Sequence, residues 1–247
     1  MRAGARRFDA VIFDLDGTLL VDDNLTAVVE TCAELATAHP DIDAESLAKA
    51  NAAAWRDYWP LVGDDWMLGK FPDSSVLSRE AWTRALAHVG ASDPTIVEDA
   101  VARFARSVSR NLRLMHGARE AIDAAVATGA KLAVITNGAV DTQTGKLHDL
   151  GILDRFDVVT TSAGAGVMKP DPRIFELALE ALGARADRAV HIGDNLHADV
   201  GGANAAGLSA IWLNENAAAR EVSDPAPDHE VRSLGEIPPL LIEPAER

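Results

Sequence analysis

Cysteine, basic residues and long apolar runs are all scarce in this sequence. Cys32 is its single cysteine, so no internal disulfide can form. We therefore expect the protein to be located in the reducing cytoplasm. No run reaches the ~18 apolar residues of a membrane-spanning helix, and the basic start has no apolar signal region, so no membrane partner is expected. Lysine and arginine number 23 against 38 acidic residues, a net charge of −15. This balance argues against a nucleic-acid partner, because binding phosphates in series requires clustered basic side chains.

Five short, β-branched runs alternate with helical patterns along the 247 residues. Their nearly continuous apolarity is typical of strands buried on both faces of a parallel sheet. The first run opens "AVIFDLDGTLL" at 10–20, with Val11 to Asp16 expected to be extended. The others are "KLAVIT" at 131–136, "FDVVTT" at 156–161, "AVHIGD" at 189–194 and "LSAIWL" at 208–213. This order predicts an α/β domain with a doubly wound parallel sheet.

Two helices between those runs have clear signals. Residues 117–129 end at a glycine, and the second helix has Asp171 as its N-cap, Pro172 in its first turn and Gly183 at its end. We expect their buried faces to be Ala121, Ile122, Ala125 and Val126 in the first, and Ile174, Leu177, Ala178, Ala181 and Leu182 in the second.

Residues 21–114 interrupt the alternation. They contain amphipathic helical patterns, four of the five tryptophans and no convincing buried strand. We therefore predict a helical insertion at 21–114, within a core formed by residues 1–20 and 115–247. The proline-rich segment at 223–241 is expected to pack on that core as a closing segment.

Two carboxylates follow the first strand. Because residues two apart in an extended chain point to the same side, Asp14 and Asp16 should project together at the strand's carboxyl end, where open α/β sheets bind ligands. Gly17 permits a sharp turn behind them. A surface turn with incidental acids is an alternative; a calcium loop is not, since its sixth position would be Leu19 rather than glycine.

Further polar residues lie at or near the ends of the later strands. Each alone is ambiguous between a structural role and a ligand-binding one. Together they form a set suited to an anionic ligand and a cation: Thr136, Asn137, Gly138, Lys169, Asp194 and Asp199.

This pattern closely resembles the haloacid dehalogenase-like (HAD) hydrolase superfamily. "DLDGT" at 14–18 matches its first motif, Thr136 the second, Lys169 the third, and Gly193-Asp194 with Asp199 the fourth. "KPDPRIFELALEALG" and "AGLSAIWLN" resemble the branch of phosphoglycolate and N-acylneuraminate-9-phosphate phosphatases. Residues 163–165 depart from that branch, whose members often carry an acid there. The helical insertion stands where the superfamily has its first type of cap.

The resemblance implies a Mg²⁺-dependent phosphatase acting on a small phosphorylated metabolite. Asp14 would be the nucleophile and Asp16 the general acid and base. The ion would be held by the Asp14 carboxylate, the Asp16 backbone carbonyl and Asp194. Phosphate would be bound by Thr136, Lys169 and the amides of Asn137 and Gly138, with Asp199 orienting Lys169 or the metal shell. In the cap, the candidates for substrate contact are Arg56, Trp59, Trp66 and Lys70, although packing explains the tryptophans better.

Three other functions remain open on the same residues. A 2-haloacid dehalogenase would also use Asp14, but a halide leaves without a proton, which gives Asp16 and Asp194 no purpose. A phosphomutase shares the whole set, and a non-catalytic phosphate- or metal-binding scaffold is a remote third. His191, inside a predicted strand, reads as a core residue with its polar atoms satisfied. The oligomeric state is expected to be monomer or homodimer.

Overall fold

The computed structural model of the protein describes residues 6–21 and 23–243. Its contacts separate into two compact units. One consists of the described residues up to Val21 together with those from Arg113 onward, and the other consists of the residues between them. The chain thus leaves the first unit after a single strand and returns to it some ninety residues later.

The described residues of the intervening unit form four helices joined by short loops, with no strand among them. Its helices are α1 (Asn24–Ala38), α2 (Ala44–Met67), α3 (Ser75–His88) and α4 (Pro94–Asn111). Aspartates cap three of them: Asp23 accepts a hydrogen bond from the Thr26 amide in α1, Asp43 accepts one from the Ser46 amide in α2, and Asp93 accepts one from the Thr95 amide in α4. The core of this unit packs around Trp82, which is fully buried and contacts Phe104 edge-to-face at 6.0 Å.

The other unit is built on a six-stranded, all-parallel sheet in the order β3-β2-β1-β4-β5-β6. The strands are β1 (Ala10–Phe13), β2 (Lys131–Thr136), β3 (Val158–Thr161), β4 (Ala189–Gly193), β5 (Ser209–Leu213) and β6 (His229–Val231). This is the doubly wound order, and it confirms the predicted fold class. Every residue of β1 and β4 is buried, as their nearly continuous apolar sequences predict, with His191 the polar residue within β4.

Helices flank this sheet: α5 (Ala118–Ala127), α6 (Val140–Asp149), α7 (Ser162–Ala165), α8 (Pro172–Leu182) and α9 (Gly202–Ala205), with a π-helical segment at Leu196–Gly201. Both signals for α8 are confirmed. Asp171 accepts from the Arg173 amide at 2.9 Å, and Gly183 ends the helix in the left-handed region at φ 60°.

The predicted buried faces need correction at three positions. Val126 of α5 is 43% exposed, because the helix turns its Ala121–Ala125 face inward. In α8 the buried stripe runs through Phe175 and Leu179 rather than Leu177 and Ala181. The larger Phe175 ring sets the orientation of that helix, since burying an aromatic side chain gains more than burying alanine.

The proline-rich segment does more than close the core, since it contributes the edge strand β6. Of the three residues of β6, only Val231 is buried. The sequence of this strand therefore has no apolar run by which it could be predicted. Among the described residues, no helix is long and apolar enough to cross a membrane.

Candidate active site

Three strands bring the predicted site residues to one edge of the sheet. Phe13 is in register with Val134 of β2 and with Ile192 of β4, so the carboxyl ends of these strands lie side by side. Asp14 follows β1 directly, Thr136 is the last residue of β2, and Asp194 follows β4. The Asp14 amide extends the ladder by donating to the Ile192 carbonyl at 2.9 Å.

Lys169 joins two buried carboxylates. Its Nζ lies 2.6 Å from Asp14 Oδ1 and 2.6 Å from Asp199 Oδ1. All three side chains are less than a tenth exposed. A buried ammonium needs such partners, because desolvation is repaid only by close, well-directed charge interactions.

A third carboxylate, Asp194, completes an acidic cluster in which one ligand atom from each of Asp14, Asp194 and Asp199 lies within 4.8 Å of the others. The Thr18 hydroxyl bridges two of them, at 3.3 Å from Asp194 Oδ1 and 3.5 Å from Asp14 Oδ2. Gly17 allows this approach: its φ is +78°, and a Cβ there would lie 2.7 Å from Asp194 Oδ2. The turn after β1 therefore requires glycine.

The charges of this cluster fit a divalent cation. Three carboxylates and one ammonium leave two negative charges, which is the charge that Mg²⁺ neutralises. Both oxygens of Asp199 are engaged, Oδ1 by Lys169 and Oδ2 by the Asn195 amide at 2.9 Å. The contacts of Asp14 Oδ2 and Asp194 Oδ1 with Thr18 are longer, at 3.5 and 3.3 Å, so Asp14 and Asp194 offer the more available oxygens for a metal ion, and hard oxygen donors are what Mg²⁺ prefers.

Burial and neighbouring charges shift the pKa values of the three aspartates in different directions. Burial raises the pKa of Asp14 to about 8 against the opposing field of Lys169. Burial also raises the pKa of Asp194. At Asp199 burial acts in the same direction, but the Lys169 ammonium and the hydrogen bond with His191 outweigh it and hold the pKa well below its usual range. A cation at Asp14 and Asp194 would favour their ionised forms.

His191 stands behind Asp199 inside β4. Its Nε2 lies 3.0 Å from Asp199 Oδ1, and burial lowers the pKa of its imidazole. Among the described residues, its Nδ1 has no hydrogen-bond partner, so the expectation of a fully satisfied core histidine is met at one nitrogen only. Gly193 provides the space for Asp199, since a Cβ at position 193 would overlap the Asp199 carboxyl group.

Asp16 turns towards α6, where it meets two residues that the sequence motifs do not identify. Gln143 Nε2 lies 2.6 Å from Asp16 Oδ2, and Lys146 Nζ lies 2.5 Å from Asp16 Oδ1. Gln143 Nε2 also lies 2.5 Å from the hydroxyl oxygen of Thr136. Gln143 and Lys146 are three apart in a helix that begins soon after Thr136. Residues at this spacing share a helical face, and that pattern is the sequence feature from which they could have been predicted.

The residues after Thr136 have structural contacts of their own. The Asn137 side chain accepts from the Lys169 amide at 2.9 Å and donates to the Lys169 carbonyl at 3.1 Å, which fixes the loop carrying that lysine. The Gly138 amide donates to Ser162 Oγ at 2.9 Å. That hydrogen bond occupies the donor which the sequence pattern assigns to phosphate.

The four candidates in the helical unit lie on or just after α2. Trp59 packs against Trp66 with ring centroids 5.8 Å apart. Arg56 and Lys70 form exposed ion pairs with Asp57 and Asp65. The contacts within this unit therefore give each of them a structural partner.

A family model for haloacid dehalogenase-like hydrolases matches residues 8–207 of the chain. The chain belongs to the haloacid dehalogenase-like hydrolases. This confirms the resemblance drawn from the motifs, and all four of them fall inside the matched range.

One curated relative and two solved structures match this hydrolase along nearly its full length. It is 32% identical to the ribulose-1,5-bisphosphate 5-phosphatase of Halopiger xanaduensis, across 94% of this chain and 98% of the relative. The structure of a HAD phosphatase from Thermococcus onnurineus is 28% identical with a TM-score of 0.63, covering 94% and 97% of the two chains. A 2-haloacid dehalogenase from Pseudomonas syringae is 25% identical with a TM-score of 0.68, covering 95% and 98%. The superfamily is thus established, and the structural neighbours of this chain include both a phosphatase and a dehalogenase.

Proposed function

We propose that this hydrolase is a Mg²⁺-dependent phosphatase that cleaves a small-molecule phosphomonoester through an aspartyl-phosphate intermediate. The observation that supports it most is the buried Lys169 ammonium 2.6 Å from Asp14 Oδ1 at the carboxyl end of β1. An ammonium in that position orients the Asp14 carboxylate and offsets its repulsion from a phosphate dianion.

In the first step, an Asp14 carboxylate oxygen forms a bond to phosphorus while the bond from phosphorus to the ester oxygen breaks. Asp16, in its protonated form, gives its proton to the departing oxygen, so the product leaves as an alcohol. The Thr136 hydroxyl accepts from Gln143, which leaves its own hydrogen available for a phosphoryl oxygen. Lys169 faces the charge that develops on the phosphoryl group.

In the second step, a water molecule attacks phosphorus and the bond to the Asp14 oxygen breaks. Asp16, now a carboxylate, takes a proton from that water, and inorganic phosphate is formed. Asp14 returns to its carboxylate form, and Asp16 again carries the proton it began with. The two steps therefore balance without any oxidant or reductant.

Asp14, Asp194 and the Asp16 backbone carbonyl would hold the Mg²⁺. When bound there, the ion would supply positive charge for the acids and polarise the phosphoryl oxygens. Asp199 keeps Lys169 in place from the other side, at 2.6 Å, and takes no part in ligation in this assignment.

Dehalogenation is the rival that the structural neighbours raise. A halide needs no proton, so that chemistry gives no purpose to an aspartate at position 16 held by both Gln143 and Lys146. The contacts of Asp16 therefore favour phosphate release.

The substrate we propose is a small phosphorylated metabolite of the cytoplasm, where the buried, unpaired Cys32 stays reduced. The Halopiger relative is named for a sugar phosphate, so sugar phosphates are the first compounds to try. The residues around Asp14 can select only the phosphoryl group. We therefore assign choice of the leaving group to the helical unit, the proposed cap, and expect a monomer or homodimer.

One assay separates the phosphatase from the dehalogenase. Purified protein is incubated with p-nitrophenyl phosphate, with a panel of sugar phosphates and with 2-chloropropionate, and both phosphate and chloride are measured. We expect Mg²⁺-dependent phosphate release that EDTA abolishes and Asp14→Asn lacks. Chloride release, or phosphate release that survives EDTA, would contradict the proposal.

A further inference from the structure

We propose that Gln143 and Lys146 are positioning residues that hold Asp16 for proton transfer, and that Gln143 couples this acid to the phosphate-binding Thr136. The inference rests on the proposed phosphatase function, because only that chemistry requires Asp16 to move protons. It adds two residues of α6 to the site, one step away from the reacting atoms.

Both oxygens of the Asp16 carboxylate are held from one side. Lys146 Nζ approaches Oδ1 at 2.5 Å and Gln143 Nε2 approaches Oδ2 at 2.6 Å. Two donors on different oxygens fix the plane of a carboxylate as well as its place, which one donor cannot do. The Asp16 side chain is 29% exposed, so without these contacts it would be free to rotate into solvent.

A single helix supplies both donors. Gln143 and Lys146 stand three apart in α6 and therefore share a face. The helix starts at Val140, four residues after Thr136 ends β2, so a short turn joins the strand that carries the phosphate-binding hydroxyl to the helix that carries both donors. A shift of α6 would move the two donors together and change their distances from Thr136.

The Gln143 amide links the two halves of the chemistry. It is completely buried, and its Nε2 lies 2.6 Å from Asp16 Oδ2 and 2.5 Å from Thr136 Oγ1. Nε2 also lies 3.3 Å from the Asn137 carbonyl oxygen, but the two shorter contacts are the ones that its two hydrogens serve best. Holding the acid and the phosphate-binding oxygen at once fixes the separation between them, on which in-line transfer to the leaving oxygen depends.

Stability alone does not explain a glutamine at this position. Its Oε1 has no hydrogen-bond partner in the described part of the chain although it is buried. An unpaired buried acceptor is unfavourable, and a leucine would fill similar volume without it. A glutamine that binds two site residues at this cost is better explained by a function in the site.

Leaving-group dependence distinguishes a positioning role from a structural one. p-Nitrophenolate departs without a proton, whereas the alkoxide of an alkyl phosphate needs one from Asp16. We expect Lys146→Met to lower kcat/KM for glycerol phosphate at least ~10-fold more than for p-nitrophenyl phosphate, since general acids contribute about 10²–10⁴-fold. Lys146→Arg, which keeps a donor, should restore part of the loss.

Gln143→Leu should differ from Lys146→Met in one respect. Because it frees Thr136 as well as Asp16, it should also raise KM for p-nitrophenyl phosphate. His148→Gln, an exposed change on the same helix, is the matched control and should leave both substrates unaffected. Circular dichroism confirms that each variant is folded, and Lys146→Met carries the test should Gln143→Leu not fold.

The outcomes separate this inference from the proposed function. If the wild type releases no phosphate from either substrate, the proposed function and this inference are both wrong. If Asp16→Asn loses glycerol phosphate turnover selectively while Lys146→Met lowers both substrates equally or neither, Asp16 keeps its role and the positioning role is wrong.

Discussion

Lys169 Nζ lies 2.6 Å from Asp14 Oδ1, and both side chains are less than a tenth exposed. The second partner of this ammonium, Asp199, is equally close and is itself held by His191 and the Asn195 amide. The nucleophile we assign is therefore at the end of a chain of buried hydrogen bonds that begins inside β4. This arrangement explains how an aspartate can remain both buried and oriented.

Removing the ammonium should damage both activity and stability. Lys169→Met leaves Asp14 and Asp199 buried without their counter-charge, so we expect kcat/KM to fall by about 10²–10³-fold or more. The free energy of unfolding should drop by ~3–5 kcal/mol, as when one member of a buried ion pair is removed. Urea denaturation and p-nitrophenyl phosphate turnover measure the two effects.

Lys49→Met is the matched control for that substitution. Lys49 forms an exposed pair with Glu45 in the helical unit, and solvent-exposed pairs of this kind contribute little to stability. Lys169→Met behaving like this control would mean that the buried contact has no energetic importance.

Metal binding can be measured without turnover. Mg²⁺ at a hundredfold excess over its Kd should stabilise the wild type by about 2.7 kcal/mol, because it binds only the folded protein. Asp194→Asn should lose this shift in Tm, whereas Asp16→Asn should keep it, since only the Asp16 backbone carbonyl is assigned to the ion. Asp57→Asn, which alters an exposed acid of α2, is the control and should retain the full shift.

Gly17→Ala tests the turn between the acids. Alanine there has two costs, a positive φ of +78° and a Cβ 2.7 Å from Asp194 Oδ2. Gly129→Ala has only the first, since φ is +74° and no atom lies within 4 Å of its Cβ. We expect both variants to lose about 1 kcal/mol of stability from backbone strain, and only Gly17→Ala to lose Mg²⁺ affinity as well. Equal affinities in the two would show that the Asp194 contact is unimportant for the site.

Without metal, stability should depend on the pH through Asp14. Its folded-state pKa is raised to about 8, so the folded protein binds this proton more tightly than the unfolded chain does. The stabilising contribution is complete below the usual carboxyl pKa and is lost as pH rises through the folded one. In EDTA, the stability of the wild type relative to Asp14→Asn should therefore fall between about pH 4 and 8.

The comparison with Asp14→Asn cancels other titrating groups. His191, whose pKa is lowered by burial, changes stability in the opposite direction within part of this range, but it does so in both proteins. A relative stability that rises with pH would show that Asp14 is ionised in the metal-free fold. Saturating Mg²⁺ should flatten the dependence in the wild type, because the ion favours the carboxylate.

Continuous apolar runs made part of the fold predictable from sequence. β1 is such a run and β4 is one apart from His191, and their sequences predict that the acids following them lie at one sheet edge. β6 could not be found in this way, because two of its three residues remain outside the core. Its place is determined by pairing with β5, which local sequence does not encode.

Long-range partners were the other limit. Asp16 was recognisable as a strand-end acid, but Gln143 and Lys146 lie 127 and 130 residues away along the chain. A glutamine and a lysine in a helix ordinarily read as solvated residues. The complete burial of Gln143 is one of the observations behind the role we propose for it, and burial depends on how α6 packs on the sheet.

Trapping the phosphoryl group on the protein tests the central claim most directly. The wild type is mixed with p-nitrophenyl phosphate and Mg²⁺, quenched in acid within one turnover, digested and examined by mass spectrometry. Our account predicts one phosphoryl group on the peptide containing Asp14, and none on the corresponding peptide of Asp14→Asn. Phosphate release by the wild type with that peptide unmodified, or with the label on another residue, would contradict it.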